Sequence, residues 1–296
     1  MPASGGTNAA APREPAPPRL LTRVRLELRV RHYSRRTEES YVAWIRRFIH
    51  FHRCRHPADM GTAEVAAFLR DLARERGLSA STQNQALASL MFLYRAVLAQ
   101  PLAMPDGAMR AKAAQRVADV LTEAEVRSLF DQLEGTALLV AQLLYGAGLR
   151  LNEALDLRVG DVDVSRRVLL VRDGKGRKDR MTLLPARAVP ALRTQLEHVR
   201  RRLEWDLSRE IGRPPLPGGL ESKYPSASLR YEWQFIFPAT RTHHDPRTDR
   251  AIRYRLHESG IQRAVALAAR RARIPKRVSC HVTAAFLRDA FIGDWV

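Results

Sequence analysis

The sequence predicts a mainly α-helical chain in two domains: an all-helical N-terminal one, then a mixed α/β one with a small β-hairpin sheet. Three observations lead there. Apolar residues recur with helical spacing up to about residue 104, and a Pro- and Gly-bearing break follows. Two short β-rich runs around a Gly/Lys turn appear only beyond that break. At 296 residues the chain is long enough for two cores.

Taken in order, residues 1–19, MPASGGTNAAAPREPAPPR, are rich in Pro, Ala and Gly and lack the apolar stretch of a secretory signal, so they read as a disordered arm. Residues 20–104 read as the helical domain. In it Tyr41, Trp44, Ile45, Phe48 and Ile49 fall on one helix face, with Thr37 as the expected N-cap and Glu38 and Glu39 in the first turn. Val65, Phe68, Leu69 and Leu72 repeat the pattern, as do Leu87, Leu90, Met91, Tyr94, Val97 and Leu98. Residues 105–118 form the linker. The second domain, 119–281, opens with capping-box spacing between Thr122 and Glu125. RRVLLVRDGKGRKDRMTLLP is the hairpin, residues 195–247 read as irregular, and helix resumes at HESGIQRAVALAARRARI.

Charge narrows the function. Lys and Arg number 50 against 31 Asp and Glu, a net charge of +19. Such an excess suits a polyanionic partner, because each neutralised phosphate releases condensed counterions. No run approaches the roughly 18 apolar residues of a membrane span, and the two cysteines, Cys54 and Cys280, fit a reduced cytoplasm. The string HFHRCRH offers His50, His52, Cys54 and His56, but on a helix these point in different directions, and no metal site is expected.

YGAGLRLNEALDLRVGDVDV is the most specific stretch. Arg150 follows a Gly-x-Gly turn and opens a helix with Leu151, Ala154 and Leu155 on its apolar face. Lys175 sits at the tip of the following hairpin, in GKGRKDR. Either feature alone is ordinary surface or turn chemistry; the ordered pair is rare.

With these segments the chain resembles the tyrosine site-specific recombinases, or phage-integrase family. RHYSRRTEESYVAWIRRFIHFH and LPGGLESKYPSASLRYEWQFIFP resemble the integron-integrase branch, the second lying in its characteristic insert, 195–247. The resemblance implies a SAM-like core-binding domain and a recombinase catalytic domain clamping DNA. It implies Arg150, Lys175 and His281 as catalytic positions. A tyrosine phenolate attacks the phosphodiester, arginine forks hold the non-bridging oxygens and the lysine protonates the leaving 5′ oxygen, with no cofactor or metal. Arg35, Arg36, Arg46, Arg47, Lys178, Arg180, Lys223, Tyr224 and Trp233 are the expected DNA contacts. At least one aromatic among Tyr224, Trp233, Phe235 and Phe237 is expected to stack on a base. Expected partners are integron recombination sites, double-stranded or as folded single strands, and further copies of the chain, in a bacterial cytoplasm.

Residues 282–296 depart from the family pattern. His281 is followed by Val-Thr-Ala-Ala, which puts Ala284 at the second arginine position, and the last tyrosine of the chain is Tyr254. One encoding of this tail, with a single base removed after the Val282 codon, reads V-L-R-H-S-F-A-T, the family's continuation. The expectation is a frameshifted tail, hence a chain that binds DNA, cannot cleave it and assembles weakly. The alternatives are a non-catalytic remnant occupying recombination sites and a poorly folded pseudogene product. A metal-dependent nuclease lacks a convincing acidic cluster.

Overall fold

The computed structural model describes residues 19–74, 77–103, 121–172, 178–245 and 249–280. Chain contacts divide it into two units, Met1–Arg116 and Val117–Val296. The expected linker at 105–118 and the tail at 282–296 lie outside the described residues.

Among its described residues the first unit holds four α-helices: α1 (Leu20–Val30), α2 (Arg35–Phe51), α3 (Thr62–Arg74) and α4 (Ala80–Phe92). A π-helical turn, Leu93–Val97, extends α4. Helix α2 starts earlier than the apolar spacing indicates. Ser34, not Thr37, is the N-cap, its side chain accepting from the Thr37 amide at 3.1 Å. The two arginines that follow, set against the helix dipole, disguise the start in sequence. Val42, Trp44, Ile45 and Phe48 of α2 are buried with Val24 and Leu28 of α1, Val65, Phe68 and Leu72 of α3, and Leu87 and Leu90 of α4. Buried Glu38 accepts from Arg29 Nε at 2.9 Å and Nη2 at 3.0 Å, which ties α2 to α1. Those hydrogen bonds hold its carboxyl below the usual range.

The histidine string has ordinary roles. His50 lies within α2 and His52 caps its C-terminus. The His56 ring accepts from the Ala58 amide at the next 3-10 turn. No group of three or more His, Cys, Asp or Glu that could hold a metal occurs among the described residues.

The second unit begins with α5 (Glu123–Phe130), closed by the expected reciprocal box. The Thr122 amide donates to Glu125 at 2.6 Å, and the Glu125 amide donates to Thr122 at 3.3 Å. Then come α6 (Gly135–Gly146), α7 (Leu151–Asp156) and an antiparallel sheet of order β1-β2-β3. Its strands are β1 (Val162–Asp163), β2 (Val168–Val171) and β3 (Arg180–Leu183), with β2 and β3 paired Leu169 to Thr182 and Val171 to Arg180. Among the described residues, helix α8 (Val189–Leu207), the short α9 (Leu220–Lys223), the hairpin β4 (His243–Asp245) and β5 (Arg250–Ile252), and α10 (Glu258–Arg271) follow. Leu139, Val140, Leu143 and Leu144 of α6 form the centre of the core. Leu151 and Leu155, Leu169 and Val171, Leu192, and Ile261 and Val265 belong to the same cluster.

Over its described residues, 195–245, the segment read as irregular from sequence is ordered. Helix α8 runs through it to Leu207, carried by the partly and fully buried stripe Val189, Leu192, Leu196 and Val199. Ile236 and Phe237, from the aromatic end of the same segment, are 0% and 1% exposed and belong to the main core. Where α8 ends, Asp206 and Arg253 form a buried pair, each side chain 4% exposed, joined by two 2.6 Å hydrogen bonds. Gly212 turns beside it with φ +76°, where a Cβ would overlap the Asp206 carboxylate.

Candidate catalytic and nucleic-acid-binding site

Two glycines place Arg150. Gly146 ends α6 against Pro185, where a Cβ would overlap the proline ring, and Gly148 takes φ +63°. Leu149 is then fully buried, and the chain emerges at Arg150, the N-cap of α7, with its side chain 50% exposed. The sequence expectation for this helix start holds: Leu151, Ala154 and Leu155 face the core.

Glu153, one turn into α7, was not among the sequence candidates. Its position three residues after the cap was the available signal. The Arg150 amide donates to Glu153 Oε2 at 2.8 Å, and Arg150 Nη1 donates to Oε1 at 2.7 Å. From the first residue of β3, Arg180 Nη1 donates to Oε1 at 3.0 Å and Nη2 to Oε2 at 2.6 Å. One carboxylate, only 10% exposed, is thus shared by two guanidiniums. Burial pushes the Glu153 carboxyl up, but the hydrogen bonds from Arg180 and from both Arg150 groups outweigh it and hold the pKa at about 2. Glu153 therefore stays ionised, and the three groups together carry one net positive charge.

Arg180, an expected DNA contact, pairs with Glu153 and keeps its side chain 36% exposed. Lys178, just before it, is exposed. Lys175 and His281 lie outside the described residues, so Arg150 is the one catalytic candidate the structure describes. Cys280, beside His281 in the chain, is buried, which pushes its thiol up to about 11.

Beyond α7, Arg158 fastens the segment 213–238 to this region. Its Nη1 donates to the Trp233 carbonyl at 2.6 Å and its Nη2 to the Pro215 carbonyl at 2.8 Å, while its guanidinium lies 4.3 Å from the Phe235 ring centre. Backbone bonds from Val159 to Gln234 and from Ile236 to Leu157 reinforce the attachment. A cavity of about 330 Å³ opens between α7 and this segment, lined by Asn152, Glu153 and Asp156 on one side and Pro217 and Phe235 on the other.

The four aromatics divide by burial. Phe235 and Phe237 are core, Trp233 is partly buried beside Arg158, and Tyr224 is 53% exposed, with Lys223 Nζ 5.6 Å from its ring. In the first unit Arg35, Arg36, Arg46 and Arg47 are all exposed on α2. Arg35 reaches Glu39 at 3.1 Å, and Arg47 lies 4.8 Å from the Trp44 ring centre.

Family models match both parts of the chain: the phage integrase N-terminal SAM-like domain over residues 20–104, and the phage integrase family over residues 119–284. The chain belongs to the phage integrase family. It is similar to proteins named integrase/recombinase from Escherichia coli and Pseudomonas aeruginosa, at 43% identity over 284 residues, spanning 94% of this chain and 82% of each of them. The tyrosine recombinase XerA of Thermococcus kodakarensis is 31% identical over 170 residues, or 55% of this chain and 56% of that protein. Among solved structures, a lambda integrase (75–356) dimer bound to a COC' core site matches with TM-score 0.58 at 17% identity, covering 93% of this chain and 90% of that one. The Tn1549 transposon integrase in complex with transposon right end DNA matches at 0.58 and 15% identity, covering 90% and 84%. These two likenesses are likenesses of fold. The family fold is the one expected from sequence: mainly helical, a SAM-like domain followed by a catalytic domain with small antiparallel sheets. None of the described helices is long and apolar enough to cross a membrane.

Proposed function

We propose that the chain is a site-specific tyrosine recombinase of the integron-integrase type that binds recombination-site DNA and, through its altered residues 282–296, has lost strand cleavage. The observation that carries the DNA-binding half is Arg150: half-exposed at a helix cap, on a cluster that keeps one positive charge in excess. In this reading Arg150 holds the non-bridging oxygens of the scissile phosphate, Lys175 protonates the leaving 5′ oxygen and His281 contacts the same phosphate. The exposed arginines of α2, with Lys178 and Lys223, contact the DNA backbone, and Tyr224 stacks on an extrahelical or single-stranded base of a folded site. Trp233, partly buried beside Arg158 in the insert, is a further DNA contact in this reading.

Loss of cleavage rests on Ala284 at the second arginine position. Tyr254 belongs to the β4–β5 region: its ring packs on His243 at 6.1 Å and its carbonyl accepts from the Ala239 amide. The test is incubation with nicked duplexes carrying an integron recombination site. A retarded complex is expected in a mobility-shift gel, with no protein–DNA adduct surviving denaturation. A covalent adduct would overturn the loss of cleavage, and absence of any complex would overturn the binding. Resequencing from the His281 codon tests the tail: an extra base relative to an open frame encoding V-L-R-H-S-F-A-T is expected.

A further inference from the structure

We infer that Arg180 is a positioning residue for the phosphate site. By sharing Glu153 with Arg150, it leaves the Arg150 charge available to a DNA phosphate. This rests on the proposed DNA-binding function and deepens it. The geometry is that of a carboxylate with too few oxygens to neutralise both partners. Arg180 reaches both Glu153 oxygens, at 3.0 and 2.6 Å, with its two terminal nitrogens. Arg150 reaches one of them by side chain and the other by its amide. The planar fork of Arg180 therefore makes the principal ion pair. The single guanidinium bond of Arg150 leaves most of its five donors unused by protein among the described residues.

The charge accounting gives the role its sign. Two guanidiniums and one carboxylate carry +1. Without Arg180, Arg150 and Glu153 become a neutral 1:1 pair, and the attraction of Arg150 for a phosphate is quenched. Arg180 is also the first residue of β3, which pairs with β2 as a hairpin. The same two bonds therefore register that hairpin's stem on the helix that Arg150 caps.

The test is the salt dependence of binding to a random-sequence 30-base-pair duplex, measured by fluorescence anisotropy on the full chain. Each phosphate contact contributes about 0.9 to the slope of log K against log salt. Arg180→Gln is expected to lower the slope by about 0.9, as Arg150→Gln does. Adding Glu153→Gln to Arg180→Gln is expected to restore the parent slope, since Arg150 is then unopposed. An unchanged slope in Arg180→Gln overturns the inference. So does a double variant that stays low, because Arg180 would then be a phosphate ligand itself or a structural tie. Should Arg180→Gln fail to fold, Glu153→Gln alone decides: a slope at or above the parent's supports the inference, and a lower one overturns it. Absence of binding by the parent chain overturns the functional reading, and this inference with it, before any variant is made.

Discussion

Two arginine–carboxylate clusters in the second unit use the same chemistry to different ends. Arg253 donates twice to Asp206 and once each to the Ala239 and Thr240 carbonyls, at 2.6 to 2.9 Å, so four of its five donors are engaged in a site where both side chains are 4% exposed. Its charge is cancelled one for one. The Arg150, Glu153 and Arg180 cluster is unbalanced, and Arg150 is half open to solvent. A one-to-one buried pair fixes backbone: here it ties the end of α8 to the residue that follows β5 and to the loop at 239–240. A carboxylate shared by two arginines fixes geometry and still presents charge. The first arrangement stabilises the fold, and the second prepares a site.

The strongest way to break the comparison is Asp206→Ala. Removing one partner leaves a buried, uncompensated guanidinium, at a cost of about 3–5 kcal/mol. A melting temperature lower by roughly 10 °C is expected by calorimetry or circular dichroism. The salt slope of DNA binding, measured well below the melt, should stay at the parent value. A variant that melts with the parent, or one whose slope falls while its melt does not, would erase the distinction between the two clusters.

Acid sharpens it next. The Glu153 carboxyl is lowered from an ordinary 4.5 to about 2, so its contribution to stability is fully present above pH 4.5. It is lost as pH falls from there towards 2. The shift of 2.5, taken as the difference of those two values, sets a ceiling of ~3 kcal/mol. Urea unfolding of parent and Glu153→Gln at pH 5 and pH 3 should show the parent losing more stability than the variant across this step. Equal losses would mean that Glu153 is not the group titrating there.

The two clusters also differ in how far sequence exposes them. Arg150 was legible because its signal is local: a glycine turn, a helix start and an apolar i, i+3, i+4 face all lie within ten residues. The Thr122–Glu125 box and the β2–β3 hairpin were legible for the same reason. Asp206 and Arg253 are 47 positions apart, and nothing beside either marks it as buried. Arg180 lies 27 positions from Glu153, so a basic residue near a hairpin tip read as one more DNA contact. Helix α8 was hidden past residue 195 because arginines and glutamates crowd its exposed face and the prolines at 214 and 215 follow soon after. In the aromatic stretch, period and composition cannot separate Phe235 and Phe237, which are core, from Tyr224, which is not. Burial depends on contacts such as Ile236 with Leu157, which only the fold supplies.

That division of the aromatics yields the smallest effect. Tyr224 ends the short α9, its ring 53% exposed with the Lys223 ammonium 5.6 Å away. An exposed ring flanked by a cation offers a sequence-tolerant face to an unpaired base, worth about 1 kcal/mol or somewhat more on truncation. Tyr224→Ala should weaken binding of a labelled single-stranded oligonucleotide by roughly five- to tenfold. Binding of a blunt duplex and the melting temperature should be unchanged, because no core contact is lost. Tyr224→Phe keeps the ring and should bind single strands like the parent. If the alanine variant weakens duplex and single strand alike, Tyr224 contacts the backbone, and the insert's stacking face must be sought at Trp233.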